Sequence, residues 1–205
     1  MTTLPEAYPE PGTAERRRWT SPLIQCVLDR RHDRSYAGWT ASVRRAITPA
    51  TEVAAYGATE RFVPAALGTT QAAGLRRAAA ICAGATGAPQ DDSAHATLGR
   101  ALARLHRAVG GSHVEQRVQT LPLLDTENAA ISLGHLVDLC SQHHVPVNFH
   151  DLARTLTSWG DGLSQRSQDI RRAVVHDFYT TRPDPEPGTT AEAPETTRTT
   201  TEGTR

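Results

Sequence analysis

The sequence predicts an all-α fold, two small helical bundles with disordered termini, and three observations carry that prediction. Apolar residues make up 38% of the chain and aromatic ones only 5%, with Ala and Leu standing where a sheet protein would use Val, Tyr and Phe. The apolar residues recur at three- and four-residue spacing in segment after segment. Helix punctuation separates those segments: Ser21-Pro22, Asp125, Asn148 and Ser164 as starts, Gly110-Gly111 and Gly160 as stops. At 205 residues the chain can bury a core that needs neither disulfides nor metal.

Residues 1–15 hold three prolines without apolar periodicity and read as a disordered arm. The expected N-terminal bundle spans 16–110. Its first helix starts at Ser21-Pro22 and runs to about Asp33 with Leu23, Ile24, Val27 and Leu28 inward, while Arg30, Arg31 and Arg34 crowd its end, where the dipole tolerates them. A second covers Tyr36 to Ile47 on Tyr36, Trp39 and Val43, displaying Arg44 and Arg45. A third over Glu52 to Val63 would bury Val53, Tyr56 and Phe62. A fourth over Gln71 to Ala83 has Leu75, Ala79 and Cys82 on one face with Arg76 and Arg77 flanking. Residues 85–93 form a loop that supplies a cap, and Ala94 to Val109 is a helix with Leu98, Leu102, Leu105 and Val109 buried.

Gly110 and Gly111 mark the expected hinge to a C-terminal bundle over 111–181. Val114, Val118 and Leu121 outline a short helix stopped by Pro122, with Arg117 bordering its stripe. Asp125 caps a long helix carrying Ile131, Leu133, Leu136, Val137 and Cys140, closed by His143, His144 and Pro146. Asn148 caps the next, with Asp151 near its orphan amides and Leu152, Leu156 and Trp159 inward. Ser164 caps the last, where Ile170, Val174 and Phe178 recur and Arg171 and Arg172 stand off the stripe. Residues 182–205, rich in Thr, Pro and Glu, read as a disordered acidic tail.

The formal charge is zero, yet residues 16–181 hold 19 arginines against 14 acids, so a basic body lies between acidic ends. All 22 basic residues are Arg, a side chain suited to bidentate phosphate contact. On the helix from Ala94 to Val109, Arg100, Arg104 and Arg107 share one face, and no acid between Asp92 and Glu115 answers them. With Arg44 and Arg45, Arg76 and Arg77, Arg117, and Arg171 and Arg172, they suggest a groove that tracks a sugar-phosphate backbone and reads little sequence.

Other chemistry is excluded by spacing. The nine histidines include no i, i+4 pair with a third ligand, so no metal is expected. GxSxG, Walker and HExxH signatures are absent, so neither an enzyme nor a cofactor is expected. Cys26, Cys82 and Cys140 lie at apolar positions without CxxC spacing and read as reduced core residues. With no apolar run long enough for a membrane span and no signal peptide, the expected location is cytoplasmic.

One set of residues resembles a known family. It comprises Leu98-Gly99-Arg100-Ala101-Leu102-Ala103, the helix of Arg117, Val145-Pro146-Val147-Asn148-Phe149 leading into Leu152-Ala153-Arg154, then Leu156, Trp159, Gly160 and Asp177-Phe178. With Val43-Arg44-Arg45 these are similar in order and spacing to the CasB family, the small subunit of the type I-E CRISPR surveillance complex Cascade. The resemblance implies a non-catalytic all-helical subunit, two copies of which lie along the complex beside the other Cascade subunits. It implies contacts to the crRNA and to the target and displaced non-target DNA strands, stabilising the R-loop in antiviral defence. By position it implies Arg44, Arg45, Arg100, Arg117 and Arg171 as contacts, whereas Arg104 and Arg107 come from the stripe alone. Pro122, Gly134, His135 and the acidic tail depart from the family pattern. A helix-turn-helix DNA-binding regulator is the alternative, and a scaffold that binds only protein a third reading.

Overall fold

The structure, a computed structural model, describes residues 20–93 and 95–181. The arm and tail expected at 1–15 and 182–205 lie outside the described residues. Among the described residues ten α-helices follow one another: α1 Pro22–Arg30, α2 Ala37–Arg44, α3 Pro49–Glu52, α4 Tyr56–Thr59, α5 Thr69–Gly84, α6 Leu98–Val109, α7 His113–Thr120, α8 Thr126–Gln142, α9 Phe149–Thr157 and α10 Gln165–Thr181. No strand occurs among the described residues, and one isolated parallel bridge joins Gln90 to Val147. The all-α expectation therefore holds.

The expected caps form. Ser21 accepts from the Ile24 amide, Asp125 from Asn128, Asn148 from Asp151 and Ser164 from Ser167. Each satisfies one of the orphan donors at a helix start. Gly160 takes φ +56 just past α9, the left-handed conformation in which a Cβ is costly.

Helix α5 is the centre of the packing. It meets α9, α2, α1 and α8, and Ala72, Leu75, Ala78, Ala79, Ile81, Cys82 and Ala83 are buried round its circumference. Ala at so many positions lets neighbours approach closely, and Gly74 takes this furthest, since a Cβ there would overlap the Leu156 carbonyl of α9. The second main contact is α6 with α10, where a Cβ on Gly99 would overlap the Val174 carbonyl.

One buried apolar cluster contains residues of α1, α2 and α5 together with residues of α6 to α10. The boundary expected at residue 110 does not divide it. Gly110 and Gly111 do adopt positive φ, but they turn the chain between α6 and α7, and α6 packs against α10. An apolar stripe on α6 is visible in sequence, whereas the partner that covers it is not.

The third expected helix is a correction. Residues 49–62 form α3, α4 and 3-10 turns, with Val53 70% exposed and Tyr56 on the surface. The buried residues there are Glu52, Ala55, Ala58 and Thr59. Arg76 of α5 explains the arrangement: its Nη1 donates to Glu52 and its Nε to Glu60, each at 2.9 Å, and its guanidinium lies over the Tyr56 ring. Arg77 lies 3.7 Å from Glu52 and 3.3 Å from Glu127. Both arginines are buried structural ions, so the expectation that they display charge is also corrected.

Candidate nucleic-acid interface

Helix α6 opens at Thr97, whose hydroxyl accepts from the Arg100 amide, rather than at the loop acids. Asp151 of α9 supplies a second cap by accepting from the Leu98 amide at 2.8 Å, and Asn148 Nδ2 donates to the Ala96 carbonyl. Asp151 was expected to serve its own helix. Instead one carboxylate oxygen caps α6 and the other takes Arg154, so the α9 start fixes where α6 begins.

The arginine stripe of α6 divides. Arg104 Nη2 donates to Asp91 at 2.7 Å and to the Pro146 carbonyl at 2.9 Å, which pins the loop before α6 and the segment before α9. Burial alone would raise the Asp91 carboxyl, but bonds from Ser93 and Arg104 hold it below the usual carboxylate range. The expectation of no acidic partner missed Asp91 because the loop folds back over the middle of the stripe. Arg107 is exposed, Arg100 is partly so, and neither guanidinium has a partner among the described residues. They stand two turns apart, about 10 Å along the axis.

Arg171 is the main correction. It is 6% exposed, with Nη1 on the Pro122 carbonyl at 2.7 Å, Nη2 on Gly160 at 3.0 Å and Nε on Trp159 at 3.3 Å. Its guanidinium also lies over the Trp159 ring, 5.0 Å from the centroid. Burial lowers its pKa and the charges of Asp161 and Asp125 oppose that shift. A guanidinium buried on three carbonyls ties together the loops flanking α8 and α9 and is not displayed to a phosphate in solvent. Arg172 is solvent-facing and engages Gln168 and Asp169 of its own helix.

Arg44 and Arg45 are consecutive and exposed at the end of α2. Arg44 Nε donates to the Ala83 carbonyl at 2.9 Å, which orients the fork and leaves its terminal amines unengaged. Arg117 is exposed on α7, the helix next to α6, without a partner among the described residues. The expected residues thus fall into one pair on α2, a group of Arg100, Arg107 and Arg117 on α6 and α7, and two structural ions, Arg104 and Arg171. Sequence reasoning gave no role to Arg34, which is exposed without a partner beside Arg44, because a helix end by itself accounts for it.

Among the described residues no group of three or more His, Cys, Asp or Glu could hold a metal ion. No described helix is long and apolar enough to cross a membrane.

Comparison with curated proteins finds no match. A Cse2-family CRISPR-associated protein from Thermus thermophilus superposes with a TM-score of 0.62 at 21% identity, covering 78% of this chain and 99% of that one. A chain of a CRISPR RNA-guided surveillance complex gives 0.60 at 21% identity, over 78% of this chain and 90% of that one. CasB from M. ruber gives 0.58 at 22% identity, over 79% and 95%. At such identities these likenesses establish the shared fold. The family model of CRISPR-associated protein Cse2 matches residues 39–179, from the middle of α2 nearly to the end of α10. On that match over most of its length, the chain belongs to the Cse2 family of CRISPR-associated proteins.

Proposed function

We propose that the chain is a non-catalytic subunit of a type I-E Cascade surveillance complex, holding crRNA and the target and displaced DNA strands through exposed arginines and so stabilising the R-loop. The carrying observation is that Arg45, Arg100, Arg107 and Arg117 are accessible and lack carboxylate partners among the described residues, with the Arg44 fork next to Arg45. Arginines free of internal partners can neutralise phosphates, and counterion release then supplies affinity without base reading. Exchange of a DNA duplex for an RNA–DNA hybrid is nearly balanced, so a few backbone contacts suffice to tip it. Arg104 and Arg171 are left out of this surface because each is committed within the fold, Arg104 to Asp91 and the Pro146 carbonyl and Arg171 to backbone carbonyls.

Membership of the Cse2 family and the likeness to a chain of an RNA-guided surveillance complex support the assembly reading. The test is binding of the full chain, alone and reconstituted with guide RNA and the other subunits, to single-stranded DNA across a salt series. Affinity is expected to fall steeply with salt and to ignore sequence. Replacing Arg100, Arg107 or Arg117 by Ala should each flatten the log-log slope by roughly 0.7. Salt-insensitive binding, or strict preference for one duplex sequence, would overturn the reading in favour of a regulator.

A further inference from the structure

Two leucines stand almost wholly in solvent although the backbone that carries them is fixed. Leu123 is 83% and Leu163 81% exposed, the highest values among the large apolar side chains of the described residues. They belong to separate segments, Leu123 to the 3-10 turn Leu121–Leu123 after α7 and Leu163 to the loop between α9 and α10. One guanidinium joins the two. Arg171 Nη1 donates to the Pro122 carbonyl at 2.7 Å and lies 3.0 Å from where a Cβ on Gly162 would stand. The residue before each leucine thus meets the same side-chain nitrogen.

Neither segment is free to draw its leucine inward. The Leu124 carbonyl accepts from Trp159 Nε1 at 3.0 Å, and the Leu124 amide donates to the Leu121 carbonyl at 3.0 Å. On the other loop the Leu163 amide donates to Asp161 at 2.9 Å and the Gly162 amide to Ser167 Oγ at 3.0 Å. Single exposed apolar residues are ordinary, but a neighbouring pair of leucines held out by anchored backbone leaves apolar surface in water that a partner can cover. Because the loops are already ordered, little conformational entropy is lost when it does.

Charge indicates what covers them. Each leucine lies two residues from an exposed carboxylate, Asp125 and Asp161, and both carboxylates act on Arg171. Of the arginines nearby on α10, Arg166 reaches Ser158 and Arg172 pairs with Asp169 of its own helix. The spot is apolar with an acidic edge, opposite in sign to the exposed arginines of α2, α6 and α7. Such an edge repels a phosphate backbone and suits a protein pocket rimmed by Lys or Arg.

We propose that Leu123 and Leu163 form a docking knob for another protein subunit of the complex, one that offers an apolar pocket with a basic rim. The placing of that partner in the complex rests on the Cascade reading. The surface is separate from the exposed arginines, so docking and strand binding can be removed one at a time.

The experiment passes the full chain over an immobilised complex of guide RNA and the other subunits assembled without it, comparing wild type, the double variant Leu123→Ser with Leu163→Ser, and Asp161→Asn, which keeps an acceptor for the Leu163 amide. The leucine variant is expected to melt as the wild type does and to bind single-stranded oligo-dT equally across a salt series, yet to lose at least about tenfold in affinity for the complex. Asp161→Asn should slow association and leave dissociation unchanged. Equal affinity of the leucine variant and the wild type overturns the knob, and an unchanged association rate of Asp161→Asn overturns the basic rim assigned to its partner. If sedimentation shows that the wild type self-associates and the leucine variant does not, a second copy covers the leucines and the proposal falls. Wild-type chain that fails to join the complex refutes the Cascade reading and this proposal together, whereas wild type and leucine variant joining alike refutes this proposal alone.

Discussion

Arg107 and Arg171 show how little a residue type says about its use. Both are arginines bordering an apolar stripe on an amphipathic helix, yet one ends in solvent and the other on three backbone carbonyls. Arg171→Ala would leave the carbonyls of Pro122, Trp159 and Gly160 without their donor and should cost about 3 kcal/mol in chemical denaturation, with the salt slope of DNA binding unchanged. Arg107→Ala should behave in the opposite way, within about 0.5 kcal/mol of wild-type stability but with a flatter slope. His150 adds a pH dependence. Its Nδ1 accepts from the Ser21 amide, and burial holds its pKa below the ordinary histidine value, with Asp92 partly opposing. Because the folded value is depressed, the full contribution is present above about pH 6.5 and is lost as pH falls through the folded value. Melting temperature should therefore drop on acidification through that window, and His150→Asn should flatten that part of the profile.

Among elements, the fit between α5 and α9 and between α6 and α10 depends on backbone approach at a glycine. A methyl on Gly74 would meet the Leu156 carbonyl and one on Gly99 the Val174 carbonyl, and backbone cannot rotate away as a side chain can. Gly74→Ala and Gly99→Ala are each expected to destabilise by about 1 to 3 kcal/mol, read from denaturation midpoints. Gly38→Ala serves as the control, since nothing lies near a Cβ there. In the first turn of α2 it should be neutral or stabilising by up to about 1 kcal/mol. Capping was readable locally at Ser21, Asp125 and Asn148, where a side-chain oxygen meets an amide three residues on. It was misjudged at Asp151 and Asp91, whose partners lie across the fold.

On the scale of the whole molecule, a long-range ion network joins segments that sequence periodicity treats as separate. Glu52, itself buried, reaches Arg76 and Arg77 of α5, and Arg77 reaches on to Glu127 at the start of α8. Removing one member strands a buried charge, so Glu52→Ala should cost about 3 to 5 kcal/mol, measured by urea denaturation. Double replacement of Glu52 and Arg76 by apolar residues of similar volume should recover part of that loss. The two exposed arginine groups ride on helices from different parts of the packing, α2 on α5 and α6 beside α7. Their combined effect on the salt slope should accordingly be additive.

The sequence by itself determined the helical class, most helix starts and stops, and the inward stripes of α1, α6, α9 and, Ile131 apart, α8, because 3.6-residue periodicity and cap chemistry act within a few residues. It also carried the arginine excess and the family resemblance, which are properties of composition and order. Only the tertiary structure decided which arginines remain open. Arg76, Arg77, Arg104 and Arg171 find acids or carbonyls between 11 and 50 residues away, and no local pattern encodes such a partner.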